Sequence, residues 1–198
     1  MIIPTPYVRK GIPIPLTANG SIKRLGGMLI DDRCMLSISH VPVGEGNKIR
    51  ILKKDGTFIW RHIQKKCMVG SDISDLSILL LNAPVDTSQH DIVPIAPVNI
   101  DDEVIITRKL AENNKHRSRK NFISKISHSD SDIICAHAGN SDKSMLRSGD
   151  SGMPWLIRQG DDLKLVSFTS RVWMGVGPNL YAMRDSIAQV RKEMLKLV

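Results

Sequence analysis

The chain has 198 residues, 41% of them hydrophobic, and its 28 Lys and Arg against 20 Asp and Glu give a formal net charge of +8. These values are those of an ordinary soluble globular protein, large enough for one compact unit or two small barrels. No apolar run approaches the roughly 18 residues that a membrane helix needs, so we expect no transmembrane helix. The N-terminal residues show no signal-peptide pattern, so we expect no export.

The three cysteines, Cys34, Cys67 and Cys135, lie far apart and form no close pair of the kind that binds metal or performs redox chemistry. An odd count favours free thiols, although one disulfide with one remaining thiol is also compatible with it. Free thiols fit a reducing compartment, so we expect a cytoplasmic protein with no bound metal.

Short runs rich in Ile, Val, Leu and Thr, separated by Gly, Pro, Asn and Asp, are typical of many short β-strands. The predicted strands are 27–30, 35–38, 48–52, 76–81, 104–107, 132–135 and 163–168. Residues 31–33 and 54–56 predict hairpin turns, because Asp and Gly tolerate the backbone angles that reverse a strand. The sequence therefore predicts mainly antiparallel β-structure.

The segment 91–98 is predicted to be an extended crossing, because Pro94 and Pro97 each disfavour helix in the residue before them. We place a boundary there, between an N-terminal domain, 1–95, and a C-terminal domain, 96–184. No internal repeat is visible in the sequence.

The segment 108–120 concentrates positive charge, with six Lys and Arg against the single acid Glu112. One interpretation is an interface for RNA or an acidic partner, since clustered cations attract phosphates, with Arg117, Arg119 and Lys120 as its main residues. The other is a solvated loop, because no aromatic residue lies inside the segment to stack on bases.

The last residues, 185–198, predict a helix with Asp185 as its N-cap. Its apolar residues recur at spacings that place them on one helix face. They are Ile187, Val190, Met194, Leu195 and Val198. We expect this face to pack against the core.

Gly149-Asp150-Ser151-Gly152 is the motif that points most directly to chemistry. A serine hydroxyl becomes a nucleophile when a base accepts its proton and donors stabilise the oxyanion. The flanking glycines allow a tight turn that directs the backbone N–H groups of Gly149 and Ser151 to one point, as an oxyanion hole requires. A plain turn is the alternative, but Pro154 and the apolar residues 155–157 follow, so the turn leads directly into a strand.

His40 is the best candidate for the base among six histidines, because it ends the apolar run 35–39 and a buried strand would fix it. A base of this kind needs a carboxylate to hold its tautomer. Asp75 is the best candidate, since an acid at the start of the apolar strand 76–80 is costly unless it is paired. Asp72 is the alternative.

Ser39-His40, the segment 75–79 and the segment 149–154 resemble, in this order, the three signature segments of chymotrypsin-like serine proteases. The resemblance spans about residues 20 to 185. It implies an all-β fold of two six-stranded antiparallel β-barrels with a short C-terminal helix, 185–198. His40 and Asp75 would lie on the first barrel and Ser151 on the second. It further implies a serine endopeptidase that forms an acyl-enzyme and needs no cofactor.

The chain departs from the secreted members of this family, because it lacks their disulfides, their Cys after the catalytic His and their activation terminus. It is more similar to the compact proteases with which positive-strand RNA viruses process polyproteins, including the arterivirus main protease. That likeness implies a protein or polyprotein substrate, no membrane and the host cytoplasm as location. Asp150 cannot then be assumed to act as a zymogen switch.

The pocket for the substrate side chain before the cut is formed in this family just upstream of the serine and by a later strand. Here the corresponding residues are Met145, Leu146, Arg147, Thr169, Ser170 and Arg171. Thr169 stands where Glu-specific viral relatives carry His, and no acid precedes Ser151 by six residues, as it does in trypsin-like members. We therefore expect an uncharged or polar side chain in the pocket. A nucleic-acid-binding module on a protease-like scaffold is the alternative function.

Overall fold

A computed structural model describes residues 14–15, 26–55, 57–109, 116–127, 132–136, 146, 150–171 and 174–198. This part of the chain contains twelve β-strands, a short 3-10 helix at Asp72–Ser74 and one α-helix. The elements are β1 (Ile14–Pro15), β2 (Met28–Leu29), β3 (Cys34–Ile38), β4 (Lys48–Leu52), β5 (Phe58–Val69), β6 (Leu76–Leu81), β7 (Glu103–Lys109), β8 (His116–Ile126), β9 (Asp132–Ala136), β10 (Pro154–Gln159), β11 (Asp162–Phe168), β12 (Val176–Pro178) and α1 (Arg184–Leu195). The prediction of a mainly antiparallel all-β protein is confirmed.

The first sheet has the strand order β1-β4-β5-β6-β3-β2, with antiparallel neighbours throughout. β3 and β6 pair in register from Cys34 opposite Leu80 to Ile38 opposite Leu76, and every residue of both strands is buried. Continuous apolar strands of this kind form the centre of a core, because both of their faces are covered. The ends of β3 and β6 thereby bring residues 39–40 and 75 side by side.

The second sheet has the order β11-β10-β7-β8-β9-β12, again antiparallel. Its strands lie between residues 103 and 178, whereas those of the first sheet lie before residue 82. Trp155 on β10 and Phe168 on β11 are fully buried. The tight turn around Ser151 leads into β10, so the second sheet supports it. The domain boundaries 1–95 and 96–184 stay a prediction.

The C-terminal helix α1 packs against β5 and β6 of the first sheet. Ile187 and Met194 are buried, whereas Val198 beyond the helix is 54% exposed. The guanidinium of Arg191 donates a hydrogen bond to the carboxylate of Asp31, which lies in the turn between β2 and β3. The prediction of Asp185 as N-cap is wrong: Met183 is the cap residue, without a side-chain bond, and Asp185 lies in the first turn. A carboxylate there still interacts favourably with the helix dipole.

Four strands, β1, β5, β8 and β12, were not among the predicted ones. β5 and β8 are rich in polar residues, so no apolar run marks them in the sequence. The basic segment 108–120 is therefore not simply a loop: residues 108–109 end β7 and residues 116–120 begin β8. The crossing 91–98 forms no strand in the structure, but Ile95 bridges Leu165 in a parallel manner. No helix in the described part of the chain could span a membrane.

Candidate active site

The turn that carries Ser151 is closed by a hydrogen bond from the backbone N–H of Met153 to the carbonyl of Asp150, at 3.1 Å. Gly152 has a φ of +79°, which type II turns require at their third residue and which glycine adopts without strain. A second bond, 2.7 Å from the Gly152 N–H to the carbonyl of Thr169, ties the turn to the end of β11. Ser151 is thus presented on a rigid support.

Gly26, which precedes β2 in the first sheet, lies against this turn. A Cβ added to Gly26 would overlap the carbonyl of Gly152 and lie 2.5 Å from the backbone nitrogen of Met153. The reverse holds for Gly152, where a Cβ would lie 2.6 Å from the Gly26 carbonyl oxygen. The two halves of the chain therefore meet backbone to backbone directly beside Ser151.

His40 follows the end of β3 and is fixed by Asp75, which precedes β6. The N–H of Ser39 donates to the Asp75 carbonyl at 3.0 Å, and the N–H of His40 donates to Asp75 Oδ1 at 2.9 Å. The Ser39 hydroxyl also donates to Oδ1, at 2.7 Å. Asp75 adopts the left-handed conformation, with φ 49°, at the end of the 3-10 helix. Asp is among the few residue types that tolerate this conformation well.

The side chains of Asp75, His40 and Ser151 form a continuous hydrogen-bonded chain. His40 Nδ1 lies 2.7 Å from Asp75 Oδ2, and His40 Nε2 lies 3.2 Å from Ser151 Oγ. The exposed fraction is 49% for the His40 side chain and 14% for Asp75. The imidazole is therefore open to a substrate, while its carboxylate partner is shielded.

Ser170 lies two residues after the end of β11, and its hydroxyl donates a hydrogen bond to Asp75 Oδ2. Burial of Asp75 opposes its ionisation, but the hydrogen bonds from Ser170, Ser39 and His40 outweigh burial and hold the pKa of this carboxyl below its usual value. Asp75 is then ionised at neutral pH. It fixes Nδ1 of His40 as the donor, which leaves Nε2 free to accept a proton from Ser151.

The residues predicted to form the substrate pocket differ in burial and in hydrogen-bond partners. Thr169 is fully buried, and its hydroxyl accepts a hydrogen bond from the Trp155 indole at 2.8 Å. Leu146 is half-buried and packs against the core of the second sheet. Arg171 is exposed and donates to the carbonyl of Ile73 at 3.3 Å. Met145, Arg147 and Gly149, the last of these predicted for the oxyanion hole, lie outside the described residues.

The alternative acid Asp72 and two further histidines, His62 and His90, have other surroundings in the described structure. Asp72 lies in the 3-10 helix, whereas Asp75 bonds His40 directly. His90 is buried, and its Nδ1 lies 2.8 Å from the Asp86 carbonyl rather than near Ser151. His62 lies on β5, 3.4 Å from the Gly46 carbonyl. His128 and His137 lie outside the described residues.

Arg117, Arg119 and Lys120 lie on β8, where their backbones pair with Arg108, Ile106 and Ile105 of β7. A role in RNA or acidic-partner binding stays a prediction. Cys34 and Cys67 are free thiols, and burial raises the pKa of Cys34 to about 12, which makes this thiol unreactive. Asp150 is only 2% exposed, so its carboxyl group faces protein rather than solvent.

The roles of Ser39 and Gly26 and the contact of Ser170 with Asp75 were not predicted from the sequence. The adjacent glycines 26 and 27 were a signal for a close backbone approach, but their partner lies more than 100 residues away in the sequence. Ser39 adjoins His40, and a short hydroxyl next to a histidine that pairs with a carboxylate can act as a second donor to that carboxylate.

No family model matches the sequence, and comparison with curated proteins gives no match either. Within the described residues, no group of three or more His, Cys, Asp and Glu could hold a metal ion.

Proposed function

We propose that the chain is a serine endopeptidase of the chymotrypsin-like type, with Ser151 as nucleophile, His40 as general base and Asp75 as the orienting carboxylate. The observation that carries this proposal is the series of hydrogen-bond contacts that runs from Ser151 Oγ through both ring nitrogens of His40 to Asp75. Its three members come from distant parts of the sequence and meet in the order that nucleophilic catalysis requires.

In the proposed reaction, Ser151 Oγ attacks the carbonyl carbon of the scissile peptide bond while His40 Nε2 takes the hydroxyl proton. The C–N bond then breaks, and His40 gives this proton to the leaving amine, which leaves the acyl group on Ser151. Water, activated by His40, hydrolyses the ester and regenerates the enzyme. Asp75 remains ionised and stabilises the imidazolium that forms in each half of the cycle.

The backbone N–H groups of Gly149 and Ser151 are the proposed oxyanion hole. Such donors contribute about 3 kcal/mol each to transition-state stabilisation. The positive φ of Gly152 and the bonded turn of residues 150–153 support this assignment, because they fix the peptide on which the Ser151 N–H lies.

We further propose that each six-stranded sheet curls into a barrel and that the substrate binds in the cleft between them. The strand orders support this, since each sheet takes its strands from one side of residues 82–102. A protein or viral polyprotein is the proposed substrate. The small size and the free thiols Cys34 and Cys67 support a role in a reducing compartment.

The test is proteolysis by the full chain. The wild-type protein and Ser151→Ala are incubated with a library of unfolded peptides, and new termini are identified by mass spectrometry. We expect cleavage by the wild type, with a common residue type before the cut, and none by Ser151→Ala. Equal cleavage by both proteins would contradict the assignment of Ser151, and no cleavage by either would count against the peptidase itself.

A further inference from the structure

Lys66, on β5, contacts the segment that carries His40 from a strand that contributes nothing else to the site. Its ammonium donates to the carbonyl of Ser39 at 2.8 Å and to the carbonyl of Val41 at 3.0 Å. One cation therefore binds the residues on both sides of His40. The side chain is half-buried, so these bonds are shielded from competing water.

The segment 39–41 needs such a support. β3 ends at Ile38, so beyond this residue the chain has left the regular ladder that pairs β3 with β6. Asp75 holds Ser39 and His40 through their N–H groups and side chains, but it cannot bind carbonyl oxygens. Lysine offers three N–H donors and no acceptor, which suits two carbonyls that face the same point.

The geometry points to Lys66 as a positioning residue for His40: it fixes the carbonyls of the two residues on either side of His40, and so holds the imidazole in line between Asp75 and Ser151. This inference rests on the proposed function. It also concerns charge, since the ammonium lies close enough to Asp75 for the two groups to attract each other. Burial lowers the pKa of Lys66, and the Asp75 carboxylate acts in the opposite direction.

A residue that merely stabilises the fold would change the melting temperature and the amount of active protein. A residue that positions the base changes the rate of the chemical step while binding of the reagent stays the same. A shift of the base of about 1 Å can cost on the order of 100-fold in rate. The two roles are therefore separable by saturation kinetics.

The probe is diisopropyl fluorophosphate, which labels an activated serine, and its limiting rate constant and half-saturating concentration are measured for three variants. Lys66→Met removes the donors and keeps the length, Lys66→Arg keeps a cation with several donors, and Lys65→Met is the matched control. Lys65 is the neighbouring residue and pairs with Glu45 at 3.2 Å, away from His40.

For Lys66→Met we expect a limiting rate about 10- to 100-fold below that of Lys65→Met, an unchanged half-saturating concentration and partial recovery in Lys66→Arg. A Lys66→Met rate within about twofold of Lys65→Met would overturn the inference. An increase in the half-saturating concentration with an unchanged limiting rate would also overturn it.

A second measurement separates this inference from the peptidase function. In Ser151→Ala protein, the proton on His40 Nδ1 gives a far-downfield NMR signal while the ring is held by Asp75, whether or not the chain is an enzyme. We expect the signal to broaden when Lys66→Met is added and to persist with Lys65→Met. An unchanged signal with Lys66→Met overturns the positioning role. If wild-type protein is not labelled, the proposed function fails, and this signal alone decides on Lys66.

Discussion

Gly26 and Gly152, from opposite halves of the chain, are packed so closely that neither has room for a Cβ atom. The contact lies one residue from Ser151 and fixes the turn that carries this serine, the proposed nucleophile, against the sheet that carries His40. The distance of 3.2 Å between Ser151 Oγ and His40 Nε2 therefore depends on two glycines that have no side chain in the cluster.

Gly26→Ala tests this contact. We expect it to separate the Ser151 turn from the first sheet and to lower the rate of fluorophosphonate labelling by about 100-fold. It should also reduce the free energy of unfolding by about 1–3 kcal/mol, as overpacking does. Gly44→Ala is the control, because a Cβ there meets nothing within 4 Å. Equal labelling rates for the two variants would show that the close approach does not position Ser151.

Asp75→Asn is expected to lower the limiting rate of fluorophosphonate labelling by about 10⁴-fold, because an amide can hold His40 in the wrong tautomer. Asp72→Asn should change the rate by less than about twofold, since Asp75, not Asp72, bonds the imidazole. The two variants have the same chemistry and lie three residues apart. Comparison of their rates with the same reagent decides between the two acids.

The pH dependence of stability follows from the lowered pKa of Asp75. Burial favours its neutral form, but the hydrogen bonds from Ser170, Ser39 and His40 favour the anion more strongly, so the folded-state pKa lies below the ordinary value of 3.8. The ionised carboxylate then stabilises the fold above about pH 3.8, and this contribution is lost as the pH falls through the folded-state pKa.

Urea unfolding of wild type and Asp75→Asn at a series of pH values measures this contribution. The difference in unfolding free energy is expected to be largest near neutral pH and to shrink below pH 3.8. Other carboxylates titrate in both proteins and cancel in the difference. A difference that stays constant, or grows, on acidification would show that Asp75 is not held as an anion.

The ion pair of Arg191 with Asp31 ties α1 to the first sheet. We expect Arg191→Ala to lower the free energy of unfolding by about 1–2 kcal/mol, since Arg191 is partly exposed and solvent screens the pair. Lys192→Ala, on the exposed side of the same helix, should cost less than about 0.5 kcal/mol. Chemical denaturation of both variants measures the difference, and equal stabilities would show that the pair contributes nothing.

The elements that the sequence predicted best were those with local signals. The apolar runs of β3 and β6 are strands buried on both faces, and His40 and Asp75 were identified because each adjoins one of them. β5 was missed because its buried residues are interrupted by half-exposed basic ones, so no simple alternation marks it. The predicted cap Asp185 was wrong because a favourable residue type near a helix start does not fix which residue begins it.

Long-range contacts carried no local signal. Ser170 lies 95 residues from Asp75 in the sequence. Its position suggested a role in the substrate pocket, whereas its hydroxyl donates a hydrogen bond to the Asp75 carboxylate. In the sequence, nothing distinguishes Lys66 from the other basic residues of β5. In the structure, its ammonium donates to the carbonyls of Ser39 and Val41. Such pairings are decided by sheet topology, which the sequence pattern alone does not specify.

We propose above that Ser151 is a nucleophile activated by His40, and covalent labelling tests this role without knowledge of the substrate. Native protein is treated with a fluorophosphonate, and the modified residue is identified by peptide mass mapping, with Ser151→Ala and heat-denatured protein as controls. We predict one label per chain, on Ser151, that is absent in both controls. Native protein that stays unlabelled, or that is labelled equally after Ser151→Ala, would contradict the account.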